Sequence, residues 1–231
     1  MKIHYVDEAS PPELVKLVKG PSLHHVVCRL SPHFADLEKE CHRLEADPQY
    51  FFSEEFIRGT SQDWKEIHFS GAADKPQLHS EVEHFLQGKG HSSLITASQA
   101  VIEELYMNAV IDAPREAKSQ GVQAPSKSNH LHLGFQAQFL VISCTDYYGA
   151  LSVSKFVNRM DEVYARGAGE AMNRAAGGAG LGCVILFENS TSLFIGVKKG
   201  QVTRFVVWLP LKASHRQREQ MPKSIHRIEI E

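Results

Sequence analysis

Two stretches of this chain read as β-hairpins, and together they commit it to a sheet built largely of antiparallel neighbours. Leu131, Leu133 and Phe135 alternate with His130, His132 and Gly134, and after Gln136-Ala137 the run QFLVISCT at 138–145 reads as a second, more apolar strand. The alternation puts His130 and His132 together on the solvent side of that hairpin. Residues 192–209, SLFIGVKKGQVTRFVVWL, form the other hairpin and turn at Lys198-Lys199-Gly200. Sheets of this kind bury an apolar face under helices, and the spacing predicts several. One covers 34–46, with Leu37, Cys41 and Leu44 on one side and a stop at Asp47-Pro48. Another covers 77–86, and a third starts at Val153 with Val153, Phe156, Val157, Met160 and Val163 in phase. WKEIHFS at 64–70 and LHHVVCRL at 23–30 read as further strands.

The longest predicted helix, about 93–113, carries the chemistry. In QAVIEELYMNAVIDAP, at about 100° per residue, Glu104 and Asn108 lie roughly 40° apart, whereas Glu103 is on another face. Ala97, Ala100 and Ile111 share the face of the polar pair, so a carboxylate and a carboxamide are expected on a surface that otherwise reads as buried. Polar groups in such a place must be hydrogen-bonded, coordinated or wet. An isolated carboxylate–carboxamide pair is more often just the edge of an amphipathic helix, so weight falls on the downstream segments. The strand at 138–145 ends in Asp146-Tyr147-Tyr148-Gly149-Ala150. A stretch rich in glycine follows the helix begun at Val153, and Gly177-Gly178-Ala179-Gly180-Leu181-Gly182 opens into CVILF at 183–187. Glycines at a helix start let backbone N–H groups approach an anion, and equally let the helix pack closely on a neighbour.

Composition narrows the field of functions. The 231 residues carry 25 basic and 27 acidic side chains, a net charge of −2, so no global field recruits nucleic acid or an acidic membrane. Cys28, Cys41, Cys144 and Cys183 are widely spaced, which fits reduced thiols in a cytoplasmic protein better than a zinc or redox motif. No apolar run reaches membrane-spanning length. His24, His25, His33 and His42 lack a ligand spacing backed by nearby carboxylates or thiols and read as ordinary histidines.

EELYMNA on a helix, a strand-end DYYGAL and GGAGLG at a helix start, in that order, resemble the histidine-kinase-like (GHKL) ATPases, and most of all their anti-sigma-factor serine kinase branch. The likeness spans residues 62–211, between an N-terminal extension or small docking module at 1–61 and a tail at 212–231 that reads as charged and peripheral, or as an edge segment docked through Ile225, Ile228 and Ile230. It implies an α+β fold, a two-layer α/β sandwich with a mixed, mostly antiparallel sheet and helices on one face, plus a small N-terminal α/β extension. By that resemblance Asn108 holds Mg²⁺ against the phosphates of ATP and Glu104 is the catalytic carboxylate. Asp146 accepts from the adenine amino group, and Gly149, Gly178, Gly180, Leu181 and Gly182 border the nucleotide. A lid at 152–176 is implied, with Lys155, Arg159, Arg166 or Arg174 facing the γ-phosphate. The implied partner is a protein, an anti-anti-sigma-like substrate or a sigma-like factor, and a homodimer is left open. Two departures stand out. Tyr148 and Ala150 occupy positions where the family has glycine, and Asp112 stands where it has His or Lys, with Arg115 near enough to compensate. They make the alternative a degenerate ATP-fold module that works by sequestering a partner.

Overall fold

The computed structural model describes residues 2–20, 24–31, 33–59, 63–166 and 181–231. One sheet of eight strands runs through it in the order β1-β2-β8-β6-β7-β5-β4-β3. The strands are β1 (Ile3–Val6), β2 (His25–Cys28), β3 (Trp64–Phe69), β4 (Asn129–Gln136), β5 (Phe139–Asp146), β6 (Ser192–Lys198), β7 (Val202–Pro210) and β8 (Ser224–Ile230). Among the described residues only β1–β2 and β6–β8 pair in parallel, so the sheet is mixed and mostly antiparallel, within an α+β fold.

Both expected hairpins form. Gln136 pairs with Phe139, leaving Ala137 and Gln138 as the loop with Ala137 at φ 52°. Lys198 pairs with Val202 around a three-residue loop in which Gly200 takes φ 68°, a conformation glycine adopts without a Cβ penalty.

The sheet is covered on both faces, which corrects the expectation of helices on one face only. On the first face lie α1 (Pro11–Val18), α4 (Lys75–Gly88), α5 (Ile95–Met107), α7 (Val153–Arg166) and α8 (Gly182–Asn189). Val101, Leu105, Val157 and Leu186 pack there on Leu140, Ile142, Leu193 and Val207. On the second face α2 (Phe34–Ala46), a 3-10 turn at Pro48–Phe52 and α3 (Glu54–Arg58) cover Val141, Phe194, Val206 and Trp208. The reason is visible in β5, whose alternate residues are apolar in both phases. Phe139 and Val141 point one way, Leu140 and Ile142 the other, and all eight residues are buried. This second cover also buries His132, which is 6% exposed and not on an open solvent side as its alternation suggested.

The segments flanking 62–211 belong to the same sheet. β8 sits between β2 and β6, not at the periphery, with Ile225 and Ile228 fully buried. Its charges are consumed by main-chain carbonyls. Lys223 Nζ donates to Glu188 O at 2.9 Å and Ser190 O at 2.8 Å, closing the C-terminal end of α8, and Arg227 Nη1 donates to Val18 O at 3.2 Å.

At the β2–β8 junction His25 and His226 are paired across the strands, Nδ1 to Nδ1 at 3.2 Å, with Cys41 Sγ 3.5 Å from His226 Nδ1. Burial pulls His25 down to about 3 and His226 well below its ordinary value. A lowered histidine contributes stability that is fully present above its unfolded value and is lost as pH falls towards the folded one. Asp146, pushed up to about 6 by burial, works in the opposite direction by taking a proton in the folded state. Each histidine held down in this way is worth up to about 1.4 kcal/mol per pH unit below its unfolded value. Urea midpoints should therefore fall more steeply between about pH 6 and pH 5 in the wild type than in His226→Phe. An equal slope in both proteins contradicts this origin.

Candidate functional site

The expected long helix is present but is not one regular helix. After α5, residues Asn108–Asp112 form a π-helical turn, and α6 (Ala113–Ser119) continues the chain with Pro114 in its first turn. Pro114 has no N–H to offer the carbonyl of residue 110, and in a regular helix its ring would strike that carbonyl. A widened turn relieves both problems, and such turns recur at functional sites. It also alters the helical phase beyond Asn108, so Ile111, expected on a buried face, is 46% exposed, while Ala97 is buried as expected.

Glu104 and Asn108 open onto a cleft of about 550 Å³ between α5, the π turn, the start of α7 and the start of α8. Its walls include Asp112 and Arg115 on one side, Lys155 and Arg159 on the other, and Gly182 at the base. Asn108 Nδ2 donates to Glu104 O at 2.8 Å, which fixes the amide and leaves its oxygen for another partner. The Glu104 carboxylate lies directly over Gly182, where a Cβ would collide with Oε2. Glycine at 182 is therefore what admits the carboxylate. Burial first, then the charges of Glu103 and Asp112, hold the Glu104 carboxyl above its ordinary range, and no cation among the described residues counters them. Glu103 is otherwise engaged, with Lys75 Nζ at 2.5 Å and His79 Nε2 at 3.2 Å. Asp112 receives Arg115 Nη2 at 2.6 Å, yet burial still raises its carboxyl. Asn108 Oδ1 and the oxygens of Glu104 and Asp112 form a hard donor set of the kind Mg²⁺ accepts.

The remaining expected residues are not all brought here. Asp146 ends β5 at 5% exposure, and its Oδ1 accepts from Tyr148 N at 2.9 Å, with the Gly149 amide also directed to it. Gly149, at φ 57°, accepts from Gly200 N at 3.0 Å, and a Cβ on it would collide with Gln201 N and Lys198 O. The 146–149 turn is thus locked onto the β6–β7 loop. Gly149 lines a neighbouring cavity of about 400 Å³ that shares Leu151 and Ser152 with the main cleft. Leu181 precedes α8 and accepts from Val184 N and Ile185 N, both at 2.9 Å. Gly178, Gly180, Arg174 and the part of the expected lid at 167–176 lie outside the described residues.

Glu116, Met107, Phe156 and Cys183 also line the cleft, and the spacing that picks out Phe156 marks it for the core, not for a site. The helical phase beyond Asn108 follows from the π turn, and the approach of α8 to α5 is set by contacts between distant segments. Among the described residues no helix is long and apolar enough to cross a membrane. No protein-family model matches the sequence, and no curated protein matches it.

Proposed function

We propose that this is an ATP- and Mg²⁺-binding regulatory protein, a serine/threonine kinase of the anti-sigma-factor type that acts in the cytoplasm on a protein partner. The observation that carries the reading is the convergence of Glu104, Asn108 and Gly182 on one cleft whose facing wall holds Lys155 and Arg159. The resemblance to histidine-kinase-like ATPases supports it, because those positions match that family's catalytic carboxylate, metal-holding asparagine and second glycine box.

Asn108 Oδ1 would hold Mg²⁺, which supplies charge neutralisation at the phosphates. Glu104 would accept the proton of the partner's hydroxyl. That oxygen then bonds to the γ-phosphorus as the bond from phosphorus to the bridging oxygen breaks, and ADP leaves with the electron pair. A carboxyl held above its ordinary range by burial is better matched to this proton transfer at neutral pH than a solvated one. Lys155 and Arg159 would balance charge on the transferred group.

A second reading has its own support. Ala150 is 2% exposed, and the Asp146 carboxylate is closed off by its own turn. A module that has lost tight adenine binding and works by sequestering its partner fits that feature.

Amide hydrogen exchange tests where nucleotide acts. Addition of ATP with Mg²⁺ should slow exchange across 95–112 and 153–166. Unchanged exchange there, or protection confined to the second face of the sheet, contradicts the proposal.

A further inference from the structure

The β3–β4 pair carries a group of side chains that the cleft does not use. Its register sets Glu66 opposite His132 and His68 opposite His130, and residues two apart on a strand share a face. Four metal-ligand side chains therefore form a square on the second face of the sheet. Glu66 Oε1 lies 3.3 Å from His68 Nε2 and 3.3 Å from His130 Nδ1, and the three ligand atoms are all within 4.8 Å of one another. Zinc bonds of about 2.0–2.1 Å in tetrahedral array put neighbouring ligand atoms about 3.3–3.4 Å apart. The two 3.3 Å edges match that geometry. The third, between the imidazole nitrogens, is no longer than 4.8 Å.

Surrounding contacts suit coordination. Ser128 Oγ is 3.2 Å from His68 Nδ1, close enough to accept Nδ1–H when the Nε2 lone pair is given to a metal. Beneath them His132 points Nε2 at Glu66 Oε2 from 3.6 Å, and its buried Nδ1 has no partner among the described residues. Arg58 Nη2 is 3.8 Å from that same Oε2, so it faces the carboxylate oxygen that the metal does not use. Lys127, over the Tyr147 ring beside His130, is a further nearby cation. The ligand atoms face solvent through the exposed Glu66 and His68, which leaves a fourth position open to water.

We propose that Glu66, His68 and His130 bind a divalent transition metal, zinc in the first instance, with His132 and Ser128 as positioning residues. Two imidazoles and one carboxylate suit zinc and its neighbours in the first row, and not calcium or magnesium. Adjacent strands of one sheet hold the ligating side chains in register, so the site is largely formed before the metal arrives. The proposal is independent of the nucleotide cleft, which lies on the other face.

The test is titration of the purified full chain with zinc in competition with a chromogenic chelator, and with cobalt(II) as a spectroscopic probe of coordination. One equivalent should bind, with the intense visible bands of four-coordinate cobalt. His68→Ala and His130→Ala should each abolish the cobalt spectrum, while Ser128→Ala weakens zinc binding by about tenfold to a hundredfold. Circular dichroism of each variant confirms that loss of metal is not loss of fold. Cys41→Ala separates this site from the buried His25, Cys41 and His226 cluster and should leave binding intact. No binding in the wild type overturns the proposal, as does binding that survives both histidine variants or disappears only with Cys41→Ala.

Discussion

Replacing Glu104 with glutamine is expected to reduce phosphoryl transfer to the protein partner by roughly a hundredfold to ten-thousandfold, the range for loss of a general base. The amide keeps the volume of the carboxylate, so the close packing of this side chain over Gly182 should persist. It removes the one group in the cleft that can take a proton from the acceptor hydroxyl while facing no cation among the described residues. Stability should hold or rise slightly, because Glu103 and Asp112 now repel the Glu104 charge. Labelled-phosphate transfer, followed beside a thermal melt, reads both effects. Transfer at the wild-type rate removes Glu104 from the chemistry. Loss of transfer together with loss of nucleotide binding makes it a ligand or a structural group. If partner regulation persists without transfer, the sequestering reading gains over the kinase.

The largest structural loss is expected from Arg204→Met. Arg204 is 7% exposed on β7, yet its guanidinium is well used. Nε donates to Thr145 Oγ1 at 3.0 Å, and Nη1 donates to Phe51 O at 2.9 Å and Ser53 O at 3.0 Å. Burial pulls its pKa down to about 10, so it stays charged at neutral pH. Methionine keeps much of the volume but leaves one buried and one part-buried carbonyl without a donor, at about 1–3 kcal/mol each where water is kept out. A loss of about 2–5 kcal/mol in urea unfolding is therefore expected, a large share of the stability of an ordinary domain. A loss below about 1 kcal/mol would mean that water replaces the guanidinium, and that the 48–58 segment is not pinned to the sheet by this residue.

Much of the first-face architecture was legible because it is written in local periodicity. On the other face the helix expected at 34–46 is α2 residue for residue, and both hairpins turn within one residue of the expected Gln136-Ala137 and Lys198-Lys199-Gly200. Helical phase places Glu104 and Asn108 on one face, and both line the cleft, since the π turn begins only at Asn108. What was not legible depends on partners far away in the chain. β8 reads as a charged tail because nothing in Lys223 or Arg227 announces that carbonyls of residues 188, 190 and 18 will receive their donors. The second cover of the sheet was hidden for the same reason, although both phases of β5 are apolar and only a helix on each side can bury them. His130 and His132 were visible as a pair on one strand, but Glu66 and His68 join them only through the β3–β4 register. Within the site, Gly182 could be read as a phosphate-box glycine. Its contact with the Glu104 carboxylate could not. Asp146 shows the limit of motif order, since its carboxylate is engaged by its own turn.

The proposal has Asn108 hold a metal-bridged nucleotide in the α5–α7–α8 cleft. Calorimetric titration of the full chain with ATP, with and without Mg²⁺ and beside Asn108→Ala, tests it most directly. Binding should need Mg²⁺, and the variant should lose it while its melting profile stays that of the wild type. A folded wild-type sample that takes up no heat at saturating ATP, or binding to which neither Mg²⁺ nor Asn108 matters, would contradict it.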